Sequence, residues 1–310
     1  MSRKSLAVIT ALAFAASLAA ATENPTKPVN LSAADIVAKN VAARGGLQAW
    51  RAVQTMTMEG KMGAGGNQRA TLPMPTPEAP TGHKGKMQPA PWLSQRPVDE
   101  VQLPFLMDLA RPRKQRFELQ FNGQTAFQVY DGANGWKVRP YLNRREVEPF
   151  SADEIKKAST QADLDGPLVD YVAKGTQVEL VGMEKVEGRD NYNLKLTLKS
   201  GDSMRVWIDA KTFLETKMEG QPRQLDGTLH PVEVYFRDYR DVNGLQIPFL
   251  LETKVLPVQK TATGLRDVPV PVEQIVIAKV TVNPKLDPTL FSKPDSGPAP
   301  QTRPTPVKIQ

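Results

Sequence analysis

Cysteine is absent from the 310 residues, which excludes disulfides, thiol chemistry and the acceptor for a bacterial lipid anchor. Histidine is scarce, with only His83 and His230. Neither stands in a His-Glu-x-x-His motif and no Gly-x-Ser-x-Gly elbow is present, so a hydrolase is the weaker reading. His83 falls in a proline-rich stretch and His230 just before Pro231, both places for surface residues. The carboxylates Asp238 and Asp241 lie near a hairpin, where turn chemistry accounts for them. Asp163-Leu164-Asp165-Gly166 matches a fragment of a calcium loop but lacks the other ligands and the closing glutamate, so no metal or cofactor is expected. Clustered basic runs interleaved with aromatics are missing, which speaks against nucleic acid as a partner.

What is present begins with a leader. Arg3 and Lys4 precede an apolar run from Leu6 to Ala16 and the small residues Ala19-Ala20-Ala21, the layout of a secretory signal peptide whose apolar run is too short for a retained span. Cleavage after Ala21 is expected, and losing the two cations takes the formal charge from +7 to +5. The expectation is a soluble, unanchored periplasmic monomer, its mild positive charge read as ordinary solubility. Hydrophobic residues make up 40% of the chain, enough for a sizeable core.

Residues 109–140 organise the reading. Phe117, Leu119 and Phe121 alternate with Arg116, Glu118 and Gln120, the pattern of a strand with one apolar and one wet face. Asp131-Gly132-Ala133-Asn134-Gly135 then reverses the chain, and Trp136, Val138 and Pro140 carry the return strand. Upstream, Ser32 caps a helix with Asp35 in its first turn, Ile36, Val37 and Val41 as its apolar stripe, and Gly45-Gly46 as its end. Leu47 to Ala52 reads as a second helical turn. Met56, Met58 and Met62 share one face of the next strand, either an adaptable apolar surface or a plain core row. Residues 63–100 form a proline- and glycine-rich insertion between two strands, read as a binding loop or an inert excursion.

Val101, Leu103, Phe105, Met107 and Leu109 make the next apolar row, with Pro104 arguing for an edge position or a bulge. If the strand phase survives Pro112, Arg111 and Arg113 lie on the apolar side and need carbonyl, carboxylate or water partners. If Pro112 resets the phase, both face solvent. Ser151-Ala152-Asp153-Glu154 is a capping box. Gly166-Pro167 is expected to start a short helix through Val172 that Gly175 closes. From Gln177 the chain reads as a meander: Val178–Val186, Tyr192–Leu198, Met204–Ile208, Phe213–Met218, Val232–Tyr239, Leu245–Val255 and Gln274–Val282. That spacing predicts one strongly curved sheet, followed by a disordered proline-rich tail over 292–310.

The order Arg111-Pro112, aromatic strand, Asp131-Gly132, Trp136 and Pro140 resembles the LolA-like family of periplasmic lipoprotein and lipid carriers. The opening Ala43-Arg44-Gly45-Gly46-Leu47 and the closing Val282-Asn283-Pro284, Leu286-Asp287 and Leu290-Phe291 add to the resemblance. It implies a mainly β (α+β) fold: a strongly curved antiparallel sheet forming an incomplete β-barrel, with a few helices closing the concave side. Residues 22–291 would be that single domain, carrying the insertion at 63–100. The resemblance further implies that Met56, Met58, Met62, Leu103, Phe105, Met107, Phe117, Leu119, Phe121 and Trp136 bind cargo, and that Arg111 latches the helical lid. Lipid or lipoprotein acyl chains would be the cargo, with an inner-membrane transporter and an outer-membrane acceptor as partners and no enzymatic activity. A lipid-sensing periplasmic regulator is the alternative.

Overall fold

A computed structural model describes residues 31–65, 100–121, 123–140, 144–225, 228–256 and 272–295. The leader, most of the 63–100 insertion with His83, and the tail beyond 295 lie outside these residues. Helices α1 (Ala33–Ala43) and α2 (Leu47–Ala52) precede strands β1 (Thr55–Gly65), β2 (Glu100–Ala110), β3 (Lys114–Phe121), β4 (Gln124–Tyr130), β5 (Gly135–Arg139) and β6 (Arg144–Pro149). Helix α3 (Ala152–Gln161) leads through a run of turns to β7 (Gln177–Val186), β8 (Arg189–Thr197), β9 (Ser203–Asp209) and β10 (Glu215–Glu219). The short β11 (Arg223–Leu225) and β12 (Thr228–His230) come next, then β13 (Val232–Val242), β14 (Leu245–Val255) and β15 (Glu273–Val282).

Thirteen strands make one antiparallel sheet in the order β6-β5-β4-β3-β2-β1-β15-β14-β13-β10-β9-β8-β7, while β11 and β12 pair apart from it. The sheet is two meanders joined where β1 meets β15, and β6 and β7 remain edges, so it curves without closing. This is the expected incomplete barrel. Among the described residues no helix is long and apolar enough to cross a membrane.

The helices form where capping chemistry allows. Ser32 accepts from the Asp35 amide while Asp35 accepts from the Ser32 amide, and Ser151 and Glu154 do the same for α3. The apolar stripe of α1, Ile36, Val37 and Val41, is buried. At the corner between α1 and α2, Gly45 has φ 114° and a Cβ there would lie 2.3 Å from the Gly244 carbonyl oxygen. Only glycine permits that approach of the helical corner to the β13–β14 hairpin.

Several expectations are corrected. The Phe117 and Trp136 strands are not hairpin partners, because the chain reverses between Phe121 and Gln124 and β4 lies between them. Pro104 sits in an interior strand, paired with Lys61 on β1, but the ladder to β3 begins only at Phe105, so that side asks nothing of its missing N–H. The segment after Gly166 is a series of turns rather than a helix; Asp170 has φ 52°, which a helix cannot contain, and Arg51 grips its carboxylate. Strands β6, β11 and β12 were not anticipated. The face of β3 expected to be wet is covered in part: Gln120 is exposed, but Arg116 and Glu118 are half-buried, and Arg116 stacks on Phe127 at 4.8 Å and donates to the Leu290 carbonyl of the closing segment.

Candidate functional site

Directly opposed residues in an antiparallel sheet share a face, so the register sorts the predicted residues. Between β1 and β2, Met56 faces Leu109, Met58 faces Met107 and Met62 faces Leu103; between β2 and β3, Phe105 faces Leu119 and Met107 faces Phe117. Phe121 ends the same row. Nine of the ten residues singled out for cargo therefore line one face. Trp136 does not, since it opposes Val129, which opposes Arg116 on the other side, where it packs against Phe127, Val129 and Val138. The inserted β4 is the reason.

Burial grades along this face. Met56, Leu103 and Phe105 are buried, Met58, Met62, Met107, Phe117 and Leu119 are half-buried, and Phe121 is exposed. The Phe105 and Phe117 rings stack with centroids 5.9 Å apart. The face also continues beyond the predicted set: Met62 opposes Ile275, Ile275 opposes Leu251, and Leu251 opposes Phe236, all half-buried. The alternation within β14 and β15 carried this signal.

Helices cover one end of the face. Tyr130, on the row of Leu109, packs against Ala158 of α3 and Ala162 at its C-cap. Arg111 sits in the turn after β2, half-buried, and donates from Nε to the Val53 carbonyl at 2.8 Å and from Nη2 to the Trp50 carbonyl at 3.0 Å. These carbonyls belong to the C-terminal end of α2, where unpaired oxygens and the helix dipole favour a cation. Nη2 also meets Asp165 Oδ2 at 2.5 Å. Arg113, two residues on, is exposed with φ 59°, so the two arginines part company at Pro112.

Asp165 is the node of this end. Its side chain is 1% exposed, and its other oxygen accepts from Lys174 Nζ at 2.5 Å. Lys174 also donates to Asp163 at 2.9 Å and to the Gly166 carbonyl at 2.6 Å, so an ammonium occupies the calcium-like fragment. Arg44, at the C-cap of α1, donates to the Asp165 carbonyl at 3.1 Å, pairs with Glu215 at 3.2 Å and stacks on Trp50 at 4.5 Å. Burial opposes ionisation of Asp165, but Lys174 and Arg111 outweigh it and hold the carboxyl below the ordinary range. Burial wins at Asp163, which is pushed up despite Lys174. Neither Asp165 nor Lys174 was singled out for this end of the face.

A cleft of about 470 Å³ lies on the opposite face, between Thr57 and Glu59 of the sheet and Leu286, Asp287 and Leu290 of the closing segment. His230 contacts the Leu256 carbonyl through Nδ1 at 3.1 Å, Asp241 accepts from the Gly244 amide, and Asp238 pairs with Arg240. Among the described residues no group of three metal-binding side chains occurs. The row face offers apolar side chains and an end covered by helices. Among the described residues it brings no nucleophile beside a base.

No family model matches the sequence, and no curated protein matches it. The chain is similar in fold to several solved structures. One is the LolA superfamily protein NE2245 from Nitrosomonas europaea, with 12% identity over 85% of this chain and 98% of that one and a TM-score of 0.49. A second is a putative outer membrane lipoprotein-sorting protein domain from Vibrio parahaemolyticus, with 12% identity, coverage of 83% and 95%, and a TM-score of 0.48. A third is a DUF1329 family protein from Desulfovibrio piger, with 13% identity, coverage of 84% and 97%, and a TM-score of 0.49.

Proposed function

We propose that this chain is a periplasmic carrier that lays the acyl chains of a lipoprotein or envelope lipid against the apolar face and moves them between membranes. The observation that carries the reading is the graded face itself: a continuous apolar surface, half-buried at its middle and closed at one end by helices that Arg111 and Asp165 hold down. Burying acyl methylenes is worth about 0.8 kcal/mol each, so a two-chain lipid of roughly 30 methylenes represents over 20 kcal/mol. Release into water is closed to such a ligand. Transfer has to run from one apolar environment to another, and a face with a releasable cover suits that. The periplasmic address rests on the leader Met1–Ala21.

Mass spectrometry of organic extracts from the protein purified out of an exporting bacterium tests the reading. A stoichiometric acyl-bearing species is expected. Extracts free of lipid, together with no uptake of a fluorescent phospholipid from vesicles, would remove the carrier function.

A further inference from the structure

Arg223 marks the end of the apolar face away from Arg111. Strands β10 and β13 pair directly, Lys217 with Tyr235, Met218 with Val234 and Glu219 with Glu233, so the β11–β12 hairpin between them projects from the sheet. Its Arg223 grips Glu273 of β15 with both arms, Nη1 to Oε1 and Nη2 to Oε2, the latter at 2.6 Å. Strand β14 lies between β13 and β15, so the hairpin reaches across about 10 Å of sheet. Glu273 opposes Thr253, and Ile275 opposes both Leu251 and Met62, which places Glu273 one step beyond Ile275 on the apolar face. The acidic residues nearby on the other face are already engaged, Glu233 with Lys217 and Glu252 with Arg237.

Arginine's planar fork suits a phosphate as well as a carboxylate, because both present paired oxygens. The Arg223–Glu273 pair is part exposed, 35% and 41% for its side chains, and an ion pair in that setting adds little net stability, so exchanging its anion costs little. The row from Met56 to Met62 is about 20 Å long at strand rise, against about 15 Å for one leaflet of hydrocarbon. A lipid lying on that row with its chain ends toward Arg111 brings its headgroup to the Arg223 end. We propose that Arg223 is the headgroup-binding residue, taking the phosphate of an anionic phospholipid in exchange for Glu273; this rests on the carrier reading.

The test compares uptake of phosphatidylglycerol and of diacylglycerol with the same chains, each presented in vesicles to the full mature protein. Wild type is expected to prefer phosphatidylglycerol, Arg223→Gln to lose at least tenfold of that preference, and Arg223→Lys to keep part of it. Glu273→Gln is expected to raise phosphatidylglycerol uptake a few-fold, with diacylglycerol uptake unchanged in all three variants. An unchanged preference in Arg223→Gln, or an equal fall for both lipids, overturns the assignment. Inorganic phosphate that stabilises wild type but not Arg223→Gln and blocks phosphatidylglycerol uptake would make this a free-anion site and equally overturn it. Diacylglycerol uptake without a phosphatidylglycerol preference in wild type refutes the headgroup site and leaves the carrier standing, whereas uptake of neither lipid removes both.

Discussion

A guanidinium beside an apolar face is tolerable only where its donors are used, and Arg111 uses them on two α2 carbonyls and on Asp165. Arg111→Leu keeps the aliphatic stem and removes those bonds, so the helical end should weaken by about 1.5–3 kcal/mol while the sheet still folds. Lipid loading should persist and transfer to acceptor vesicles should slow; unchanged rates of both would leave Arg111 a structural residue. The carboxylate partner allows a sharper test. Because Asp165 is held below its unfolded value, it contributes stability above that value and loses it as pH falls through the lower folded one. Asp165→Asn leaves two cations facing an amide, which should cost about 3–5 kcal/mol at pH 7. In urea titrations that gap should narrow as pH falls below about 4, where Asp165 of the unfolded chain takes up a proton, and close once pH has passed the lower folded value. Asp163 is shifted upward, so Asp163→Asn should cost far less at neutral pH. A pH-independent gap for Asp165→Asn would show that shape rather than charge matters there.

Elements divide into those that local pattern announces and those that only packing decides. The caps at Ser32 and Ser151 are backbone chemistry within four residues, and the rows of β1, β2 and β3 are period-2 alternations, so both were readable. Joining β3 to β5 overlooked the reversal before Gly123, and with it went the face of Trp136, since one added strand changes which residues oppose each other. Asp165 was unreadable as part of the cover because its partners Arg111 and Arg44 are over 50 residues away in the chain. The closing segment is another such case. Asn283 accepts from the Gln54 amide at 2.7 Å, Thr55 donates to the Pro284 carbonyl, and Phe291 is buried, so residues 283–291 tie the sheet's last strand to its first. Truncation after Pro284 should bare Arg116 and Phe127 and cost several kcal/mol, as removal of a buried aromatic alone costs about 3–5. Replacing residues 66–99 by a short glycine-serine linker should instead leave the denaturation midpoint nearly unchanged, because β1 and β2 each keep a second partner strand. Guanidinium titrations of the two variants distinguish these outcomes.

At the scale of the whole molecule, the apolar face has one buried end and one half-buried stretch, and the two should respond differently to cargo. Trp50, Val53, Leu168 and Val169 of the cover are buried, whereas Met58, Met62, Phe117 and Leu119 retain exposed surface. Met56→Ala, at a site with no exposed surface, should therefore show a full core penalty of about 2–5 kcal/mol, and Leu119→Ala a smaller one with a larger loss of lipid uptake. Bound lipid stabilises the native state by mass action, about 2.7 kcal/mol at a free concentration 100 times its Kd, and that gain should shrink in Leu119→Ala. Local exchange reports where the cargo acts. Opening the cover breaks the Arg111 contacts at Trp50, Val53 and Asp165, so amides over 44–53 and 163–175 should exchange faster in loaded protein than in empty protein. Strands β8 and β9, with Leu194, Leu196, Val206 and Ile208 buried between paired neighbours, should not change. Arg111→Leu should show the fast pattern at 44–53 and 163–175 without any lipid. Loading that slows exchange uniformly along the sheet, or leaves the cover segments untouched, would mean that cargo binds without moving the helices, and the closed end would then be scaffold rather than gate.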